Sequence, residues 1–442
     1  MGCIVVSMLD SQEPDRNWAP LDNAGKLYPS LVSSRNTTLF RISALLDKPV
    51  HAEILQRSIE RMSRRFPYFQ VHLQRGAFWY FFVPSEHPTI LERDSRYPCT
   101  KMPIRQSTRL PFRIRAFKNR FTVEFSHILT DGTGGLVYFQ ALLTDYLKLR
   151  EGLPDKQKGV INFQDPIMRE ESEDAFQRYH RTGLPLPARE SRAYKIQDRL
   201  EPKGVYHIIT GSFSLEDLKK ASSRYGVTLT EFLTALLMEV YQDQLYSLPE
   251  RKRRRKAAPI RICVPVNLRR FFPSRTMRNF FLSLNPVIDP RLGRHSFEEI
   301  CGQVKHFMAL NLNTRTLEQQ ISRNLQGEKR WFIRILPCWL KDRIIPGLYR
   351  RFGESAYSTV LSNLGQIRFP DDAAPHIRQV EFIPNPPEGT TRLKMGVITY
   401  GDRMTVSFGR ISRSSFVERE FFRKLRKRGI IPYIDSNIWK ED

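Results

Sequence analysis

Between Val50 and Phe66 the apolar residues Leu55, Ile59, Met62 and Phe66 recur at helical spacing, with Arg57, Glu60, Arg61 and Arg64 elsewhere on the wheel. This pattern predicts an amphipathic helix with one face in a core. Two runs rich in aromatic and β-branched residues follow, Tyr68 to Leu73 and Ala77 to Val83, separated by Gln74-Arg75-Gly76. They read as a hairpin. A second strand pair is predicted over Pro111 to Phe117 and Arg120 to His127, turning at Lys118-Asn119. Strand alternation puts Phe121, Val123, Phe125 and His127 on one face of it. A Gly-rich turn, Asp131-Gly132-Thr133-Gly134-Gly135, then leads into a helix marked by Leu136, Phe139, Leu143 and Tyr146.

The pattern weakens from about Glu151 to Lys203, which is polar and rich in Pro, Arg and Glu. We divide the chain there: a first domain over 1–165, a crossover linker over 166–203, and a second domain over 204–442. The second half opens on a strand at Val205 to Phe213, and Thr228-Leu229-Thr230-Glu231 has the form of a capping box ahead of a helix through Leu245. Strands are predicted at Ile260 to Leu268, Phe281 to Ile288, Ser358 to Leu361, Val380 to Ile383, Met395 to Tyr400 and Met404 to Phe408. Helices are predicted at Phe297 to Leu312, in parts of Trp331 to Phe352, and at Ser415 to Lys427. Both halves mix the two element types, so the fold class is α/β with mixed α+β sheets.

A chain of 442 residues with 40% hydrophobic content can bury substantial cores, which argues against disorder. Basic side chains number 71 against 46 acidic ones, a net charge of +25 that concentrates anionic partners around the surface. Phosphate-rich cofactors, anionic membranes and nucleic acid all qualify, but no groove-reading or zinc pattern is present, so nucleic acid is not expected. Cys3, Cys99, Cys263, Cys301 and Cys338 are far apart and odd in number, which fits a reducing, cytoplasmic setting better than a disulfide framework. The opening Met1-Gly2-Cys3-Ile4-Val5-Val6 has too short an apolar run for a signal peptide and lacks the Ser or Thr of a myristoylation signal at Val6. The apolar stretch Trp331 to Leu340 is broken by Arg334 and Pro337 and falls short of the ~20 residues that cross a bilayer. The sequence therefore reads as soluble.

Chemistry concentrates in Glu124-Phe125-Ser126-His127-Ile128-Leu129-Thr130-Asp131-Gly132. A neutral imidazole can take the proton of an alcohol or amine as that group attacks a carbonyl. A hydrogen-bonded core histidine is the plainer alternative. Ser126 neighbours His127 on a strand and so faces away from it, which makes a Ser126-His127-Asp131 triad unsuitable. A metal centre needs further convergent ligands, and none stands nearby at a recognisable spacing, so no metal is expected.

These residues resemble the alcohol acetyltransferase branch of the CoA-dependent acyltransferase superfamily, which includes chloramphenicol acetyltransferase, the plant BAHD acyltransferases and peptide-synthetase condensation domains. Its double-histidine motif reads His-His-x-x-x-Asp-Gly; here Ser126 replaces the first histidine and His127 matches the second, catalytic one. Further resemblances run along most of the chain. They are Pro265-Val266-Asn267-Leu268-Arg269 with Arg278-Asn279-Phe280, Ser362-Asn363-Leu364-Gly365, and near the start Trp18 to Asp22 and Phe66 to Phe82, including Gly76-Ala77-Phe78-Trp79-Tyr80. The resemblance implies two chloramphenicol-acetyltransferase-like domains packed face to face, with a tunnel between them. It implies His127 as catalytic base, Asp131 and Gly132 as support of the catalytic loop, and Arg269 as the partner of Asp131. It also points to Asn279, Ser362 and Asn363 as tunnel or substrate-binding residues, though turn and strand-end roles remain open for them. An acetyl or longer fatty acyl group would pass from acyl-CoA, a co-substrate with no tightly bound cofactor, to a small alcohol or amine, in a monomer.

Arg251-Lys252-Arg253-Arg254-Arg255-Lys256 reads as an exposed loop, since adjacent like charges repel. Its readings are a solvated surface, docking of an acidic acyl carrier protein, attraction of CoA phosphates, or an anionic membrane surface. Two alternatives to a CoA enzyme stay open: a condensation-type transferase fed by a carrier-protein thioester, and a non-catalytic basic binding protein of the same fold.

Overall fold

The computed structural model describes residues 18–104, 106, 109–185, 190–329, 335–387 and 389–437. The amino-terminal residues read above for targeting signals lie outside them, as do 331–334 of the apolar stretch. Among the described residues no helix is long and apolar enough to cross a membrane.

Two mixed sheets organise the chain. The first runs, edge to edge, through Ile377–Ile383, Leu39–Leu46, Arg120–Ser126, Phe112–Phe117 and Leu91–Arg93. Its centre is a register in which Phe40 faces Phe125, Ile42 faces Val123 and Ala44 faces Phe121. These six side chains are at most 1% exposed and form one continuous apolar face. Helix Ala52–Arg65 lays Leu55, Ile59 and Met62 onto that core, as its periodicity predicts. The two-residue turn at Lys118-Asn119 connects Phe112–Phe117 to Arg120–Ser126, with Lys118 at φ 51°. The opposite face of this sheet carries charge. Glu124, fully buried, accepts from Arg113 Nε at 2.7 Å and from the Cys99 amide at 2.8 Å, and Arg41 lies 3.5 Å away.

The second sheet runs Phe281–Leu284, Ile260–Asn267, Thr359–Ile367, Leu393–Tyr400, Arg403–Arg410, His207–Ser214 and Tyr433–Ser436, with Val287–Ile288 paired to the other end of Ile260–Asn267. One face packs on the helices Leu229–Tyr246, Phe297–Asn311 and Phe416–Lys427 through Ile262, Val264, Leu361, Met395 and Val406. The capping box at Thr228 and Glu231 is present, and Ser296 with Glu299 forms another. The other face meets the first sheet: a Cβ added to Gly396 would stand 2.6 Å from the carbonyl oxygen of Phe382.

Two features differ from the sequence reading. The strand Ile377–Ile383, late in the chain, pairs with Leu39–Leu46 and completes the first sheet. The basic run is the helix Glu250–Lys256 rather than a loop. Pro249 and Glu250 stand at its start and four basic residues at its end, an arrangement that complements the helix dipole, while Arg254 pairs with Glu250 and Arg253 lies over the Tyr246 ring.

Candidate active site

Strand Arg120–Ser126 ends one residue before His127, whose amide donates to the Thr38 carbonyl at 3.0 Å. The imidazole stays on the aromatic face of the strand. Phe40 lies 4.8 Å from it, Tyr28 stacks on it at 5.2 Å and 19°, and Phe281 of the second sheet approaches to 6.3 Å. His127 therefore sits where the two sheets meet. The residue keeps some solvent exposure, yet its Nδ1 is buried and has no hydrogen-bond partner.

Burial pushes the His127 pKa down to about 4, and the positive charge of Lys394 acts in the same direction. Asp131, the Thr130 backbone and the Asn279 side chain act in the opposite direction without outweighing them. The ring is thus neutral at physiological pH and can act as a base. Lys394 is almost fully buried on Leu393–Tyr400; its neighbours Leu393 and Met395 point into the second core, so alternation turns Lys394 to the seam.

The loop after His127 is fixed by Asp131, which caps the helix Gly132–Glu151. Its Oδ1 accepts from the amides of Thr133 at 3.1 Å and Gly134 at 2.9 Å. Its Oδ2 accepts from the Phe280 amide at 2.7 Å and from Arg269 Nη1 at 2.8 Å. Arg269 spends its remaining nitrogens on the carbonyls of Thr276 and Arg278. A single carboxylate thus ties the loop of one sheet to the 268–280 segment of the other and points away from the imidazole. Glycine is required at 134, where a Cβ would stand 2.2 Å from the Met277 carbonyl oxygen; a Cβ on Gly132 would press on the end of the Leu364 side chain at 2.4 Å, which has room to turn.

Asn279 is fully buried, and its Nδ2 donates to the His127 carbonyl at 2.9 Å and to Asp22 at 3.0 Å. Asp22 also accepts from the Gly25 amide at 2.7 Å. Burial and nearby Asp174 push the Asp22 pKa up to about 7 against these donors. Asn279 therefore holds the backbone of His127. Ser362 is half-buried on Thr359–Ile367, on the face opposite the core residue Leu361. Asn363 turns away: its Nδ2 donates to Thr230 Oγ1 at 3.0 Å and its Oδ1 accepts from the Gly365 amide at 2.8 Å. Ser126 faces away from the ring and pairs with Thr38 at 2.9 Å. Among the described residues no cluster of three His, Cys, Asp or Glu could hold a metal.

Asp22, Tyr28 and Lys394 were not picked out by sequence reasoning. Asp22 ends a segment that carried the resemblance, a signal that could have found it. Nothing local marks Lys394, because only its strand register brings it to the seam.

No family model matches the chain, and no curated protein matches it. Solved structures do. F. graminearum TRI101 complexed with coenzyme A and T-2 mycotoxin is 12% identical with a TM-score of 0.60, over 95% of this chain and 100% of that one. The trichothecene 15-O-acetyltransferase of Fusarium sporotrichioides is 9% identical, TM-score 0.59, over 93% and 94%. The first condensation domain of the calcium-dependent antibiotic synthetase is 14% identical, TM-score 0.58, over 93% and 95%. The chain therefore shares its fold with these acetyltransferases and with this condensation domain.

Proposed function

We propose that this protein is an acyltransferase in which His127 acts as general base, moving an acyl group from acyl-CoA to a hydroxyl or amine. The observation that carries the reading is a neutral imidazole, on a partly exposed residue at the seam of the two sheets, its backbone gripped from both. With Nδ1 in the packed interior, Nε2 is the nitrogen left to meet a substrate.

The acceptor O–H or N–H gives its proton to Nε2 as the oxygen or nitrogen attacks the thioester carbonyl. The tetrahedral oxyanion collapses, the C–S bond breaks, and the imidazolium returns the proton to the leaving thiolate. Ester or amide and free thiol result, with no covalent enzyme intermediate. Asp131, Gly132 and Arg269 fix the loop, and Asn279 fixes the His127 carbonyl. We place Ser362 beside the substrate path. In this reading residues 1–165 and 204–442 form the two domains, 166–203 crosses between them, and the enzyme works in the cytoplasm.

The structural neighbours support the donor and acceptor classes, one holding coenzyme A and T-2 mycotoxin and another being a trichothecene 15-O-acetyltransferase. The purified protein, offered a panel of acyl-CoAs and alcohols, is expected to release free thiol only when donor and acceptor are both present. His127→Ala should lower that rate by about 10²- to 10⁴-fold. Equal turnover by wild type and variant removes the mechanism, and turnover only with carrier-bound thioester replaces free CoA as donor.

A further inference from the structure

The helix Cys338–Leu348 and the turn Tyr349–Gly353 that continues it are built inside out. An ordinary surface helix turns its apolar stripe to the core and its charges to water. Here the inward face is polar. Asp342 accepts from Ser30 Oγ at 2.8 Å and from the Tyr80 hydroxyl at 2.7 Å, while buried Lys341 donates to the Phe78 carbonyl at 2.7 Å and covers the Trp79 ring. The outward half carries exposed apolar side chains on either side of Arg343: Ile335, Trp339, Ile344, Leu348 and Phe352 are between 39% and 58% exposed, and neighbouring Phe78 is 46% exposed. Such a patch on one element, with an aromatic ring at its head, marks a surface made to meet something apolar. Arg343, Arg350 and Arg351 are exposed along the same stretch, and the Arg351 guanidinium lies over the Phe352 ring.

We propose that this face docks on an anionic lipid surface, with its apolar side chains in the headgroup boundary and the three arginines on lipid phosphates. Apolar side chains flanked by arginine, on a helix lying flat and too short to span, are what such a surface accepts. Charge selects this occupant over a second copy, because each copy carries +25 and two such surfaces repel. The position gives docking a consequence. Ser30, which bonds this helix, belongs to the short helix Tyr28–Leu31, whose Tyr28 ring stacks on His127. Docking would bring the neighbourhood of the imidazole to the bilayer, where water-insoluble molecules partition. The binding itself stands whether or not His127 transfers acyl groups.

The test is sedimentation of the full chain with phosphatidylcholine vesicles, with and without phosphatidylserine. Wild type is expected to pellet with the phosphatidylserine vesicles and to be released by salt. Trp339→Ser/Ile344→Ser/Leu348→Ser should bind roughly tenfold or more weakly, with circular dichroism unchanged and thiol release from a water-soluble acceptor intact. Should that variant misfold, Arg343→Gln/Arg350→Gln/Arg351→Gln gives the same readout from the charged side and should weaken binding while leaving the fold alone. Undiminished binding by both variants overturns the proposal. So does binding lost only when Arg251 to Lys256 are neutralised. Two further results would also overturn it, each by naming another occupant: a wild-type dimer that the serine variant dissolves, and vesicle binding that appears only after residues 1–17 are removed.

Discussion

A single imidazole carries the proposed chemistry, and its setting makes a statement about pH. Its pKa of about 4 lies below the ordinary 6.5, because burial and the charge of Lys394 both disfavour the imidazolium. The unfolded chain takes up this proton as pH falls through 6.5, whereas the folded protein does so only near 4. Neutral His127 therefore stabilises the fold fully above about 6.5, and that contribution is lost as pH falls from 6.5 toward 4. Denaturant midpoints measured across this window should fall with acid in the wild type and fall less in His127→Gln. The activity profile follows the same group: kcat/KM limited by His127 stays flat from neutrality down to about pH 5, whereas an unperturbed histidine would halve it near 6.5. Asn279 invites a separate measurement. Asn279→Ala leaves both the His127 carbonyl and the buried Asp22 carboxyl without its amide, a cost of about 1–3 kcal/mol in denaturant unfolding. Because the side chain acts through the His127 backbone, kcat should drop with little change in KM for acyl-CoA; unchanged kcat would reduce Asn279 to a stability role.

Among the elements, a close fit next to the site is the start of helix Gly132–Glu151, whose first turn presses on Leu364 and on the Met277 carbonyl. Gly134→Ala would force a Cβ to within 2.2 Å of backbone oxygen, so either the helix or the 268–280 segment must shift. We expect a loss of about 1–3 kcal/mol, read as a lower thermal midpoint. Thiol release should fall as well, because the segment that would shift holds both Arg269 and Asn279. A variant as stable and as active as wild type would show that the contact yields freely. How legible each element was follows from the same packing. Helix Ala52–Arg65 could be read because Leu55, Ile59 and Met62 dominate its buried stripe and most of its exposed positions are polar, even though Ser58 and Arg65 are buried too. Strand Leu39–Leu46 could not, although it is interior to the sheet: buried Arg41 and Ser43 interrupt the apolar run, and partners distant in the chain, Asp94, Thr122 and Glu124, make them at home there. Helix Thr314–Lys329 escaped notice because Leu317, Ile321 and Leu325 are its only large buried apolar residues among polar neighbours. The basic helix Glu250–Lys256 was read as a loop because charge repulsion was weighed and the order of charges along the helix dipole was not.

Across the whole molecule, the two halves are joined more firmly than a sequence linker suggests. Strand Ile377–Ile383 pairs with Leu39–Leu46 from Leu46 to Arg41, so residues late in the chain protect the edge of the first sheet. Asp47 extends the exchange by accepting from the His376 imidazole at 3.0 Å, and Arg120 pairs with Glu381 at 2.6 Å. No local pattern could disclose this, since the pairing joins segments more than 300 residues apart in the chain. It sets an expectation for dissection at the boundary that composition suggests. A fragment of residues 1–203 would expose the full backbone edge of Leu39–Leu46 together with Phe40 and Ile42, an unprotected apolar strand of the kind that recruits other chains. That fragment should aggregate on expression, whereas mixing it with residues 204–442 during refolding should recover soluble material that contains both pieces, detectable by co-elution. A monomeric 1–203 fragment with a cooperative thermal transition would mean that the borrowed strand is dispensable, and that contacts such as Asp131 with Arg269 and Asn279 with the His127 carbonyl suffice to hold the seam.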